Sequence, residues 1–184
     1  MEASNLGQHI SRRFNEDLEH LRSQVLKMGG LVEQQLLQSV SALVDGDAAL
    51  GQAVARNDFQ VNAMEVAIDE DCSRVLATRA PTASDLRLIV AVIKTITDLE
   101  RMGDSAVNIA EAALVLNTEP PLKPYIDLPR LSELAQKMVR GSLDAFVQGN
   151  VQLALDICSR DDQVDGLYKQ IFRELLTFMI ADPK

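Results

Sequence analysis

The amino-acid sequence predicts an all-α protein, and three observations carry that expectation. Six prolines, at positions 81, 120, 121, 124, 129 and 183, leave three long proline-free runs in a chain of 184 residues. A helix interior excludes proline, because the ring removes a hydrogen bond and clashes with the preceding turn. Apolar residues recur at steps of three and four, as in Leu18, Leu21, Val25, Met28, Val32 and Leu36. That is the period of one helix face, and the period-two alternation of strands is absent.

Five helices follow in order. The first covers about 6–45 and ends at Asp45-Gly46-Asp47, a glycine stop followed by an N-cap. Gly29 and Gly30 mark a point where it can bend. The second covers about 47–78 on the stripe Leu50, Val54, Val61, Met64, Ile68 and Val75. Arg79-Ala80-Pro81 ends it, and Thr82 or Ser84 caps the third. The third covers about 83–117 on Leu86, Ile89, Ile93, Ile96, Leu99, Met102, Ile109 and Leu116. A proline-rich linker occupies 118–129. The fourth and fifth, about 130–147 and 150–181, are separated by the tight turn Gln148-Gly149-Asn150.

The chain is written twice. Slid by 103 residues, Ser39, Ala42, Val44, Gly46, Leu50, Asp58 and Val61 lie over Ser142, Ala145, Val147, Gly149, Leu153, Asp161 and Val164. The same helix–turn–helix therefore occurs in both halves. The organisation expected is a first three-helix repeat at 1–117, the linker, and at 130–184 a second repeat that lacks its third helix. Two helices of the second copy then show an apolar face, which predicts a dimer or a swapped neighbour.

Composition narrows the function. Net charge is −9, from 27 acidic and 18 basic residues. Nucleic-acid binding needs clustered Lys and Arg against phosphates, so this balance disfavours it. Two cysteines, Cys72 and Cys158, are too few for a disulfide framework, and each reads as a buried small side chain. The start of the chain has no apolar signal-peptide core, and no stretch is long enough to span a membrane. A cytoplasmic protein is expected, with no nucleic-acid partner and no membrane insertion.

Catalytic constellations are missing. The two histidines, His9 and His20, stand on the first helix, and the paired Glu-x-x-His motif of di-iron bundles does not occur. There is no phosphate loop and no nucleophile elbow. A hydrolase acting through metal-bound water has no base beyond carboxylates. The chain is expected not to be an enzyme.

Acidic stripes are the chemistry that remains. Glu100, Asp104, Asn108 and Glu111 stack on one face of the third helix. Asp58, Asn62, Glu65 and Asp69 do the same on the second. Asp161 and Asp165 repeat Asp58 and Asn62 in the second copy. Like charges one turn apart repel by a few tenths of a kcal/mol, and a cation between them reverses the sign. The candidate metal ligands are Glu100, Asp104, Asn108, Asp58, Asn62, Glu65, Asp69, Asp161 and Asp165. The competing reading leaves every stripe merely solvated, on a structural helical-bundle interaction module with no metal or phosphate role.

The run from Asp98 to Glu111, Asp-Leu-Glu-Arg-Met-Gly-Asp-Ser-Ala-Val-Asn-Ile-Ala-Glu, resembles the signature of the PhoU family of phosphate-response regulators. So do Met28 to Glu33, Asn57-Asp58, Met64-Glu65, Ile68 to Glu70, and Arg79 to Leu88. The resemblance implies two three-helix repeats and a cytoplasmic, dimeric accessory protein of phosphate-specific transport. It implies negative regulation of the phosphate-starvation response, through the transporter's ATPase subunit and a sensor histidine kinase. It also implies divalent or ferric metal ions, with Fe, Zn, Mn and Mg all open. The family's motif, an acid followed four residues later by Asp, falls on Glu100 and Asp104. Glu65 with Asp69 and Asp161 with Asp165 share the spacing. The second copy of the signature is missing from the chain, which reads as a C-terminal truncation.

Overall fold

The computed structural model describes residues 2–181, with side chains from residue 12 onward. Seven helical segments follow one another: α1 (Glu2–Asp45), α2 (Ala48–Asn57), α3 (Phe59–Arg79), α4 (Ala83–Leu116), α5 (Asp127–Gln148), α6 (Val151–Cys158) and α7 (Asp161–Ala181). No strand occurs among the described residues. The five expected helical stretches are all present. The second and the fifth are each interrupted once, which turns five into seven.

The two interruptions fall within two residues of the same place in the repeat. Asp58 keeps helical dihedrals, but its carbonyl is approached by Val61 N at 2.9 Å, which tightens the turn. In the second copy Arg160 N reaches Ile157 O at 2.9 Å, and Gln163 N reaches Arg160 O at 3.0 Å. Neither break is visible in the apolar spacing, because the stripe continues through it.

The turns behave as their residues dictate. Gly46 and Gly149 take φ of 70° and 61°, the left-handed region that glycine enters without steric cost. The next residue caps the following helix in each case. Asp47 Oδ1 accepts from Leu50 N and Asn150 Oδ1 accepts from Leu153 N, both at 3.0 Å. Ala80 is left-handed as well, at φ 46°, and Pro81 follows it. Thr82 then donates its hydroxyl to Asp85 Oδ2 at 2.7 Å at the start of α4. The expected boundary at 130 shifts: α5 begins at Asp127 and takes Pro129 into its first turn. Proline is tolerated there because the missing N–H has no intrahelical partner in any case.

The chain divides into two compact units. One comprises residues 1–32 and 58–103, the other 33–57 and 104–184. In the first, Leu21, Val25 and Met28 of α1, Val61, Ile68, Cys72 and Val75 of α3, and Ile89, Val92 and Ile96 of α4 are buried to within about a hundredth of full exposure. In the second, Ala42, Val54, Ala106, Ala110 and Ala113 are equally closed. A side chain at Gly51 of α2 would meet Leu114 Cδ2 at 3.3 Å and Ala110 O at 3.4 Å, so glycine permits that close approach. Asn117 Nδ2 donates to Ala42 O at 2.9 Å, a carbonyl at the end of α1 that also accepts from Asp47 N at 3.0 Å.

Candidate functional site

The expected ligands lie on helix faces, as their spacing requires. On α4, Glu100 is half-buried, while Asp104, Asn108 and Glu111 are exposed. On α3, Glu65 is half-buried, and Asn62 and Asp69 are exposed. Asp58, half-buried at the break before α3, accepts from Asn62 Nδ2 at 3.2 Å through Oδ2. Asp161 and Asp165 are exposed in the first turns of α7, and Asp165 Oδ2 pairs with Lys169 Nζ at 2.9 Å.

A side-chain contact links the two helices at these stripes. Thr97 Oγ1 of α4 stands 3.5 Å from Glu65 Oε1 of α3. Among the described residues, no three of His, Cys, Asp and Glu gather so as to hold a metal ion. Each stripe therefore offers carboxylates one turn apart on a single helix. Such a pair supplies two oxygen donors, and an ion held there would take the rest of its shell from water.

A cross-helix charge cluster lies elsewhere, in the unit formed by residues 1–32 and 58–103. Asp17 Oδ2 of α1 accepts from Arg79 Nε and Nη2, both at 2.9 Å. Arg74 Nη2 pairs with Asp71 Oδ1 at 2.5 Å, and its Nη1 stands 4.0 Å from Asp17 Oδ1. The hydrogen bond that Arg74 donates to Asp71, and then the charge of Asp71, raise the Arg74 guanidinium above its ordinary value. His20 Nε2 stands 3.2 Å from Asp71 Oδ2. The sequence carries a sign of one local pair, Asp71 with Arg74, three apart. It carries no sign that α1 and α3 bring the cluster together. The cluster ties the end of α3 to α1 and leaves no vacant carboxylate pair.

The cysteines differ from expectation in one respect. Cys72 is fully buried, and burial, with Asp69 and Asp71 adding, raises its thiol to about 11. Cys158 is exposed. Its repeat counterpart Ala55 stands in a helix of the same register, so nothing local marks position 158 as surface.

Two apolar features occupy the second unit. A cavity of about 600 Å³ lies between the proline-rich linker and the helix ends, walled by Leu43, Leu116, Leu122, Ile126, Ile171 and Leu175. Lys123 of the linker forms an ion pair with Glu174 beside it. On α7, Tyr168 and Phe172 stack with centroids 6.5 Å apart, and both are more than half exposed, as are Met179 and Ile180. The uncovered apolar face expected for the second copy is thus present. Among the described residues no helix is long and apolar enough to cross a membrane.

Comparison with known proteins bears on the whole chain. The model of the family described as PhoU domain matches residues 25–113 and 128–184. The phosphate-specific transport system accessory protein PhoU homolog of Pseudomonas aeruginosa is 46% identical over 181 residues, covering 97% of this chain and 74% of that protein. A crystal structure of PhoU from Pseudomonas aeruginosa superposes with a TM-score of 0.87 at 46% identity, covering 92% of this chain and 82% of that one. The crystal structure of the phosphate transport system regulatory protein PhoU from Streptococcus pneumoniae gives 0.83 at 28% identity, covering 92% and 80%.

Proposed function

Because the chain belongs to the PhoU family, we propose that it serves phosphate transport as a non-catalytic accessory protein. The reading is supported above all by one observation, identity of 46% across 97% of the chain to a protein named for that role. In finer terms, the chain is a cytoplasmic negative regulator of the phosphate-starvation response. It acts as a homodimeric adaptor between the transporter's ATPase subunit and a sensor histidine kinase. A helical scaffold whose polar stripes offer carboxylates but no nucleophile suits contact better than chemistry.

The test is complementation in a bacterial strain from which the gene is deleted, with alkaline phosphatase read in phosphate-rich medium. Deletion is expected to make the enzyme constitutive, and residues 1–184 to restore repression. Repression that survives deletion would remove the regulatory reading.

We propose further that the acidic pairs bind cations: Glu100 with Asp104 on α4, Glu65 with Asp69 on α3, and Asp161 with Asp165 on α7. An all-oxygen donor set favours hard ions such as Mg²⁺, Mn²⁺ or ferric iron over Zn²⁺. Asp104→Asn is expected to lower metal per chain, measured by mass spectrometry of the purified protein, without loss of helix content. Unchanged metal in that variant would remove Asp104 as a ligand.

A further inference from the structure

The first half of α4 carries a strip that no packing among the described residues covers. At the helical turn angle, Ala83, Leu86, Arg87, Val90, Lys94 and Thr97 fall within an arc of about 100°. All six are exposed, and the two aliphatic residues, Leu86 and Val90, show 43% and 41% of their surface. No carboxylate shares that arc between 83 and 97. The one acid in the stretch, Asp85, lies outside the arc and holds the Thr82 hydroxyl. Arg87 and Lys94 form no ion pair among the described residues.

The charge contrast is what gives the strip meaning. The chain as a whole carries −9, whereas this arc carries two cations and no acid. Here two cations without an ion pair flank the exposed Val90, and the exposed Leu86 stands beside the first of them. Arg87 and Lys94 are seven residues apart, which places them about 10.5 Å apart along the axis. Two carboxylates at i and i+7 of a second helix have the same spacing. An aliphatic residue between them would seat over Leu86 and Val90 in the manner of a helix laid on a helix face.

We propose that this strip docks an acidic amphipathic helix of a protein partner, with carboxylates meeting Arg87 and Lys94 around an aliphatic contact at Val90. The proposal rests on the accessory reading, which makes the partner a subunit of the phosphate transporter. An anionic membrane is the other surface that draws cations. Two positive side chains on a chain of −9 are too few to hold one.

The experiment is surface plasmon resonance of the full chain against the purified phosphate transporter with its ATPase subunit. The variants are Arg87→Glu with Lys94→Glu, and the milder Arg87→Gln with Lys94→Gln, each checked for helix content and melting. Wild-type binding is expected to weaken as salt rises. The charge reversal is expected to raise Kd roughly tenfold or more and the neutral pair to raise it less, both with a flatter salt dependence. Wild-type binding that both folded variants retain would overturn the strip and leave the accessory reading standing. No wild-type binding would overturn both. Sedimentation of the wild-type chain, but not the reversed variant, with phosphatidylglycerol vesicles and no transporter binding would make the strip a membrane face and overturn the proposal.

Discussion

Cys72 is a buried thiol whose neighbours penalise its ionisation, and its proton couples folding to alkaline pH. Its folded value is raised from 9.0 to about 11, so the unfolded chain releases that proton first. The stability it contributes is whole below pH 9, falls between 9 and 11, and amounts to about 2–3 kcal/mol at the two-unit difference. Chemical denaturation of wild type and Cys72→Ala across that window measures it, and the variant is expected to lose less stability than wild type as pH rises. The same burial predicts labelling: a maleimide at neutral pH modifies Cys158, which is exposed, and reaches Cys72 only after unfolding. Asp17 makes the second residue-scale prediction. Its carboxylate and the Arg79 guanidinium are each less than a quarter exposed, so Asp17→Ala leaves a partly desolvated cation. A cost of about 1–3 kcal/mol is expected from the lost charge-assisted bonds, read in thermal melts. The burial of Cys72 was legible in the sequence, but the exposure of Cys158 and the pairing of Asp17 with Arg79 were not. Asp17 and Arg79 are 62 residues apart, and periodicity says which face a residue occupies but not which helix that face meets.

Helices were legible because their signals are local. Apolar spacing, a glycine stop and an Asp or Asn cap all act within one or two turns, and the structure places the turns at Gly46 and Gly149 where those residues stand. The breaks at Asp58 and at Ser159-Arg160 were not legible, since the apolar stripe runs through both without a skip. Close helix approach was equally hidden until the contact partner was known. Gly51 reads as an ordinary weak helix former, yet a Cβ there would already press on Leu114 and on the Ala110 carbonyl. Leucine side chains yield and backbone carbonyls do not. Gly51→Ala is therefore expected to be tolerated within about 1 kcal/mol, whereas Gly51→Leu forces α2 away from α4 and costs about 1–3 kcal/mol. Denaturant melts of the two variants check the difference. Equal stability in both would show that the approach is looser than the distances state.

At the scale of the molecule the site was legible as stripes and not as a site. Each acid stands on the face its spacing requires, but the described residues gather no three potential ligands. Ligand gathering depends on the rotation of one helix against another, which spacing leaves open. The apolar face of α7 is the opposite case, because local helical spacing alone places its residues on one side. Tyr168, Phe172, Met179 and Ile180 stand more than half exposed on one flank of a helix whose other flank, at Leu167 and Ile171, is buried. Contiguous apolar surface of this kind drives association in water at about 25 cal/mol for each Å² covered. The 184-residue chain is therefore expected to self-associate, with the dimer fraction rising with concentration in sedimentation equilibrium. Phe172→Asp together with Met179→Asp places two charges in the contact and is expected to shift the distribution to monomer. Both side chains already face water in the single chain, so the melting of the monomer should move by less than about 1 kcal/mol. A wild-type chain that stays monomeric at high concentration would remove the homodimer from the proposed function. Association that survives the double substitution would place the contact on another face.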